Sequence, residues 1–274
     1  MEEGSIEGAV EGGVLAALDA GRVRAAEPDA GATDGWRVNS NVQQAILLLF
    51  ADRATETWNL DGAFRFRDRV GLPLKGLTES PEALAALAAG KPWRIVPGGT
   101  SVRGGVYLAP GVTIMPPSYI NVGAWVGEGT MVDSHVLVGS CAQIGSRVHL
   151  SAGVQVGGVL EPAGRRPVIV EDEAFVGAQA ALLDGVLVKR RAVIAAGVIL
   201  TGTSRLYDLV HERVLVGTLE RPLVVPAGAV VAPGVRHVTG AFAEREGIAL
   251  SAAVVVKYRD ERTDARVALE EALR

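Results

Sequence analysis

The chain is 274 residues long, 49% hydrophobic but only 5% aromatic, with 34 glycines and a formal net charge of −4. That length holds one large domain or two small ones, and the charge argues against general nucleic-acid binding. Cys141 is the single cysteine, which excludes an intramolecular disulfide and a multi-cysteine zinc site within one chain.

The N-terminus is acidic (Glu2, Glu3, Glu7) and lacks the basic-then-apolar order of a secretion signal, so a cytoplasmic protein is expected. No apolar run is long enough to span a membrane. Apolar residues recur at helical spacing over 6–18 and 42–51, the second helix with Asn39 or Ser40 as its cap. A third short helix is expected over 81–89, with Ser80 as N-cap and Pro81 in the first turn. Residues 1–100 therefore read as an α-rich N-terminal domain.

From Val102 the pattern changes to a stride of six. Val102, Leu108, Ile114, Ile120, Val126, Val132, Val138, Ile144, Leu150 and Val156 are all aliphatic, and the stride resumes at Val170, Val176, Leu182, Val188, Ile194 and Leu200. Four residues after nearly every aliphatic lies a small or β-branched residue, among them Val106, Ser118, Ala124, Thr130, Ala142, Ala174 and Ala180. Six residues make one short strand and one corner, and three such units close a triangular coil, so residues 18 apart stack. This is the pattern of a parallel β-helix over 101–202. Glycines after the aliphatic, such as Gly127, Gly139, Gly145, Gly157 and Gly177, are expected where the chain bends tightly with positive φ. The stride slips across 157–167, which reads as an external loop at a corner, a common place for a binding face. Residues 203–274 read as a C-terminal extension: a hairpin pairing 210–216 with 221–224, a partial coil over 225–234, a strand over 252–258 and a charged helix over 263–273.

The chain contains no GxxxxGK[ST], HExxH, GxSxG or CxxC. Its histidines (His135, His149, His211, His237) have no metal spacing, so no metal site is expected. A β-helix of this kind suits an acyltransferase, an enzyme with an interfacial zinc, or a non-catalytic scaffold, and the fold does not decide between them.

Longer runs do. Met115-Pro-Pro-Ser-Tyr-Ile-Asn-Val-Gly-Ala124, Glu128-Gly-Thr-Met-Val-Asp133, Val138-Gly-Ser-Cys-Ala-Gln-Ile-Gly145, Gly157-Gly-Val-Leu-Glu-Pro162, Ser204-Arg-Leu-Tyr-Asp208 and Ala253-Val-Val-Val-Lys257 exceed what a hexapeptide rung requires. With them the chain resembles the tetrahydrodipicolinate N-succinyltransferase family over roughly residues 36–270. The resemblance implies a left-handed β-helix, a homotrimer with active sites between subunits, and succinyl-CoA as acyl donor, with no permanently bound cofactor. It also implies direct attack of an acceptor amine on the succinyl thioester, in lysine and diaminopimelate biosynthesis. By the same resemblance Asp133 is the catalytic carboxylate. Its other reading is a corner residue bonded to its own turn.

The chain departs from the family pattern around the acceptor. Where members read Gly-Ala-Arg-Ser-Glu, this chain reads Gly177-Ala-Gln-Ala-Ala181, so Gln179 and Ala181 replace a guanidinium and a carboxylate. His135 stands where the family often has Trp, and is a candidate base in reach of Asp133; Asp184 is a candidate replacement carboxylate. Ser134, Gln179, Ala181 and Arg205 form the expected acceptor-binding set. Lys257 and Arg259, with Lys189, Arg190 and Arg191, are candidates for the CoA phosphates, and backbone N–H groups at Ala196 and Gly197 are candidate oxyanion donors. Three readings follow: the lysine-pathway enzyme, a paralogue succinylating a different small amino or hydrazino acid, and a scaffold without catalysis.

Overall fold

A computed structural model describes residues 13–60 and 64–260. Its core is a three-faced prism of two-residue parallel strands. The first face stacks Ser101–Val102, Tyr119–Ile120, Leu137–Val138, Gln155–Val156, Ala181–Leu182 and Ile199–Leu200. The second stacks Tyr107–Leu108, Trp125–Val126, Gln143–Ile144, Ile169–Val170, Leu187–Val188 and Val224–Val225. The third begins at Arg94–Ile95, runs through Thr113–Ile114, Met131–Val132, His149–Leu150, Phe175–Val176 and Val193–Ile194, and continues into Ala229–His237. The fold is mainly β, a left-handed parallel β-helix preceded by a region containing helices and followed by a C-terminal extension.

The period sets the register. Val126 pairs with Ile144, and Ile144 with Val170 across the external loop. The second residue of each two-residue prism strand points inward and, apart from the partly buried Ile95, is buried; with the small residues four positions on, these side chains form one continuous core. Two of the small residues are polar and join coils: Thr130 Oγ1 donates to Gly145 O (2.8 Å) and accepts from Val148 N (3.1 Å), and Ser118 Oγ bonds Asp133 O at 2.9 Å.

Most corners turn through a left-handed residue, but not at the glycine expected from the sequence; the corner at 115–118 has prolines there instead. Positive φ falls two residues later, at His135 (62°), Cys141 (65°), Arg147 (54°), Glu173 (60°), Gln179 (59°) and Arg191 (61°), or at a glycine such as Gly153. The glycines after the aliphatic are required for closeness instead. A Cβ on Gly139 would lie 2.1 Å from Gly158 N, and one on Gly177 2.5 Å from Ala196 N.

In the N-terminal region the helices are Val14–Asp19, Ser40–Ala51 and Pro81–Ala88. Ser80 caps the last through its hydroxyl, which accepts from Ala83 N (3.2 Å). Asn39 holds the cap position of the second without a side-chain cap bond; its amide donates to Arg24 O instead. Two antiparallel hairpins that the helical spacing did not anticipate lie between them: Ala26–Pro28 with Trp36–Val38, and Thr55–Leu60 with Phe64–Arg69. Leu18, Val42 and Ile46 pack on Val122 and Cys141 at the corner between the first and second faces. Ala26 and Trp36 cover Ile169 and Leu187 on the second face. Below, the segment at 73–75 runs along the open edge of the first face: Lys75 N donates to Val102 O (2.9 Å) and Gly104 N to Pro73 O (2.7 Å).

The C-terminal hairpin differs from expectation. Arg213–Val216 pairs antiparallel with Arg205–Asp208, and Val224–Val225 joins the second face, because its inward valine continues the aliphatic stack. Ala249–Tyr258 then pairs antiparallel with Ala229–His237 to form a projecting arm, longer than the strand expected over 252–258. The expected helix over 263–273 and the first part of that over 6–18 lie outside the described residues.

Candidate active site

The corner between the third and first faces gathers most of the expected site residues. His135, Gly153, Gln179 and Gly197 occupy the same corner position in successive coils. Each N–H bonds the coil before it: His135 N to Pro117 O (2.7 Å), Gly153 N to Ser134 O (2.8 Å), Gln179 N to Ala152 O (3.0 Å), Gly197 N to Ala178 O (2.9 Å). Asp133 and Ser134 open the lowest of these four turns, Ala196 lies in the highest, and Ala181 follows Gln179 onto the first face.

Neighbouring strands lie about 4.8 Å apart, so Gln179 stands roughly 10 Å and Ala196 roughly 14 Å above the coil of Asp133 within one chain. The Asp133 carboxylate is half-buried, and its Oδ1 accepts from Ser134 N at 2.7 Å. One oxygen is thus held by the turn and the other is left open. His135 is exposed and makes no hydrogen bond to Asp133; it lines a groove of about 350 Å³ with Ser101, Tyr119, Leu137 and Gln155. Gln179 folds down over Gly153, its Nε2 occupying the space where a Cβ at 153 would project. Ala181 lies between Gln155 and Ile199, the latter 64% exposed, so that stretch of the face carries no charge. Of the two N–H groups considered as oxyanion donors, that of Gly197 is engaged by Ala178 O. Only the Ala196 N–H lacks a protein acceptor among the described residues.

The remaining candidates lie elsewhere. Lys257 and Arg259 sit at the end of the arm, by the corner between the second and third faces, where Arg259 N donates to Gly228 O (2.8 Å) and Arg259 Nη1 to Arg191 O (3.0 Å). Lys189 pairs with Glu171 (3.0 Å) and Arg190 with Glu173 (2.8 Å). Arg205 is exposed beside Ile199, Tyr207 and Arg236.

Asp184 belongs to another feature, a cleft of about 900 Å³ between the helix Ser40–Ala51, the external loop and residues 218–222. Sequence reasoning found the loop but not what holds it. Gln43, fully buried, donates from Nε2 to Arg165 O (2.9 Å) and accepts at Oε1 from Gly164 N (2.6 Å). Arg166 donates to Gly185 O (2.9 Å) and Pro222 O (2.7 Å) and pairs with Asp34. Burial holds the Arg166 guanidinium below its ordinary pKa despite Asp34. Among the described residues no group of three or more His, Cys, Asp or Glu side chains converges as metal ligands would, and no helix is long and apolar enough to cross a membrane.

Residues 2–51 match the family profile of the tetrahydrodipicolinate N-succinyltransferase N-terminal region, and residues 167–202 that of the hexapeptide repeat of succinyl-transferase. The chain is 40% identical over 262 residues to the 2,3,4,5-tetrahydropyridine-2,6-dicarboxylate N-succinyltransferase of Leptothrix cholodnii, covering 95% of this chain and 87% of that protein. The namesake from Pseudoalteromonas translucida is 40% identical over 258 residues, covering 94% and 85%. Protein TabB of Pseudomonas amygdali pv. tabaci is 42% identical over 126 residues, 46% of this chain and 42% of that one. A crystal structure of a candidate 2,3,4,5-tetrahydropyridine-2-carboxylate N-succinyltransferase from Campylobacter jejuni shares the fold, with TM-score 0.50 and 17% identity over 92% of this chain and 63% of that chain.

Proposed function

The chain belongs to the 2,3,4,5-tetrahydropyridine-2,6-dicarboxylate N-succinyltransferase family, and from that premise we propose that it transfers the succinyl group of succinyl-CoA to the amine of tetrahydrodipicolinate, as a homotrimer in the cytoplasm. It is an acyltransferase of lysine and diaminopimelate biosynthesis. Identity of 40% along 95% of the chain favours the family acceptor over a different amino or hydrazino acid, and catalysis over a bare scaffold.

The observation that carries the mechanism is the height difference on one edge. Water adds to the cyclic imine of the acceptor and opens it to an amine, which attacks the thioester carbonyl to form a tetrahedral intermediate and loses a proton; the carbon–sulfur bond then breaks and the departing thiolate takes up a proton as CoA thiol. The open oxygen of Asp133 suits the amine, and the Ala196 N–H suits the oxyanion. One tetrahedral carbon cannot lie within hydrogen-bond reach of both when they stand roughly 14 Å apart on one chain. In a closed trimer the three-fold rotation allows no shift along its axis, so Asp133 of one chain meets Ala196 of the next through prisms tilted against one another. A site shared between tilted neighbours is the arrangement this chemistry asks for. Gln179 supplies neutral amide contacts to an acceptor carboxylate in place of a guanidinium, which weakens acceptor binding more than the chemical step.

The test is release of CoA thiol from succinyl-CoA with L-2-aminopimelate, a stable acceptor mimic, beside a panel of small amino and hydrazino acids. Turnover of aminopimelate that is lost in Asp133→Asn supports the assignment. Turnover only of a smaller acceptor, or unimpaired turnover by the variant, overturns it.

A further inference from the structure

A second pocket, of about 360 Å³, lies far from the edge that carries Asp133, where the N-terminal region meets the second face. Arg24, Trp36, Trp125, Ser146, Glu171 and Asp172 line it. The guanidinium carbon of Arg24 lies over Trp125, 3.8 Å from the ring centroid, with Trp36 at 5.6 Å, and Trp125 is itself stacked on Tyr107 at 3.8 Å. Its Nε donates to Gln143 Oε1 (3.0 Å), and Gln143 is fixed in that orientation because its Nε2 donates to Cys141 O (2.9 Å). Among the described residues Arg24 forms no ion pair. Its terminal nitrogens have no protein acceptor, yet no buried side-chain nitrogen is left without a partner, so those nitrogens open to the pocket. Burial costs this cation enough to lower its pKa to about 10.

The acidic side of the pocket is equally specific. Glu171 is fully engaged by Trp36 Nε1 (2.9 Å), Lys189 Nζ (3.0 Å) and Arg190 N (2.8 Å). Arg190 is paired with Glu173, which also pairs with Arg147. Asp172 is not: Oδ1 accepts from Ser146 N (2.8 Å), and Oδ2 has no partner. Of the nearby charges Arg24 feels Glu27 first, then Tyr107 and Asp172, and it closes an ion pair with none of them; Glu27 is held by Arg37. One cation and one anion without an ion-pair partner among the described residues thus face a common cavity between indole walls.

We propose that this pocket binds a free α-amino acid, its carboxylate on the terminal nitrogens of Arg24, its ammonium on Asp172 and its side chain against Trp36. A planar guanidinium stacked on an aromatic is pre-organised for a carboxylate, and the pocket volume falls at the small end of the range for ligand sites. A monocarboxylate would leave Asp172 uncompensated, and a simple amine would leave Arg24 so. Because Arg24 and Trp36 come from the N-terminal region and Trp125 and Asp172 from the prism, the ligand bridges the two. This is a site distinct from that of the acceptor.

The experiment is calorimetric titration of the full chain with L-amino acids of apolar and aromatic side chain, each beside its des-amino acid and its amide, with tryptophan fluorescence followed in parallel. Saturable binding of an amino acid is expected, weakened at least tenfold by removing either end group, by Arg24→Gln, and by Asp172→Asn, and retained in Asp133→Asn. Asp172→Asn keeps the acceptor for Ser146 N–H, so its fold is preserved even where Arg24→Gln disturbs packing. No saturable binding up to about 10 mM overturns the proposal. So does equal affinity for the des-amino analogue, or binding lost in Asp133→Asn but kept in Asp172→Asn.

Discussion

The external loop is held from the helix side by one amide, and that invites a direct perturbation. Gln43→Leu keeps the volume and removes both hydrogen bonds, leaving Gly164 N–H and Arg165 C=O unpaired beside a buried apolar side chain. Each bond contributes about 1–1.5 kcal/mol, so the closed loop loses about 2–3 kcal/mol relative to the open one. That is about a 30- to 150-fold rise in the open population. Trypsin reads it: the bond after Arg165 is cleavable, whereas that after Arg166 is protected by Pro167. When opening is fast relative to cleavage, the rate of nicking follows the open population. Cleavage after Arg165 should therefore accelerate by one to two orders of magnitude, with the circular-dichroism spectrum unchanged. A rate within about twofold of wild type would refute the clamp and leave Arg166 as the anchor.

Four further outcomes follow from the packing and the charges. Gly139→Ala drives a Cβ to 2.1 Å from the backbone nitrogen of Gly158, so the coil and loop must part; loss of soluble protein or a fall in Tm of at least about 6 °C is expected. Gly197→Ala, at φ 72° but with nothing within 4 Å of the new Cβ, should cost only about 1 kcal/mol, and equal Tm values for the two would contradict the distinction. Burial alone would raise the pKa of the Asp208 carboxyl, but hydrogen bonds from His211, Tyr258 and Arg213 override it and hold it well below the usual range. Its stabilisation is present at neutral pH and drains away as pH falls below the unfolded value near 4. Asp208→Asn should lower Tm at pH 7 and flatten its decline in acid, as scanning calorimetry across pH would register. Cys141, fully buried with its thiol pKa pushed up to about 12, should resist thiol reagents at pH 8 until the protein unfolds; rapid labelling of native protein would contradict its burial.

The prism could be read from the chain because a period of six fixes each residue's face, corner and height. Asp133 and Gln179 stand out by the family resemblance rather than by the period, and the folded prism sets them on one edge with Ala196. The N-terminal hairpins were less legible. Ala26–Pro28 and Trp36–Val38 are too short for alternation to register, and the alternating Phe64-Arg-Phe-Arg run was passed over beside stronger helical signals. The loop clamp was out of reach of any local pattern, since Gln43 and Gly164 lie 121 residues apart. So was the pairing of Arg24 with Trp125, which needs the folded corner to bring an N-terminal turn onto the second face. Glycines were located correctly and explained wrongly: the repeat marks where space is tight, and the dihedral demand lies two residues on.

The covering of one edge at each end of the prism has a consequence for assembly. A stack of parallel strands is open-ended in principle: any copy whose last coil met another's first would find matching hydrogen-bonding groups. Here residues 73–75 lie along the lower edge of the first face, and above, the third face turns into antiparallel strands that no parallel coil continues. At these edges end-to-end pairing of copies is blocked. The open atoms of Asp133 and Ala196 lie on a flank instead, where the proposed homotrimer would have its contacts.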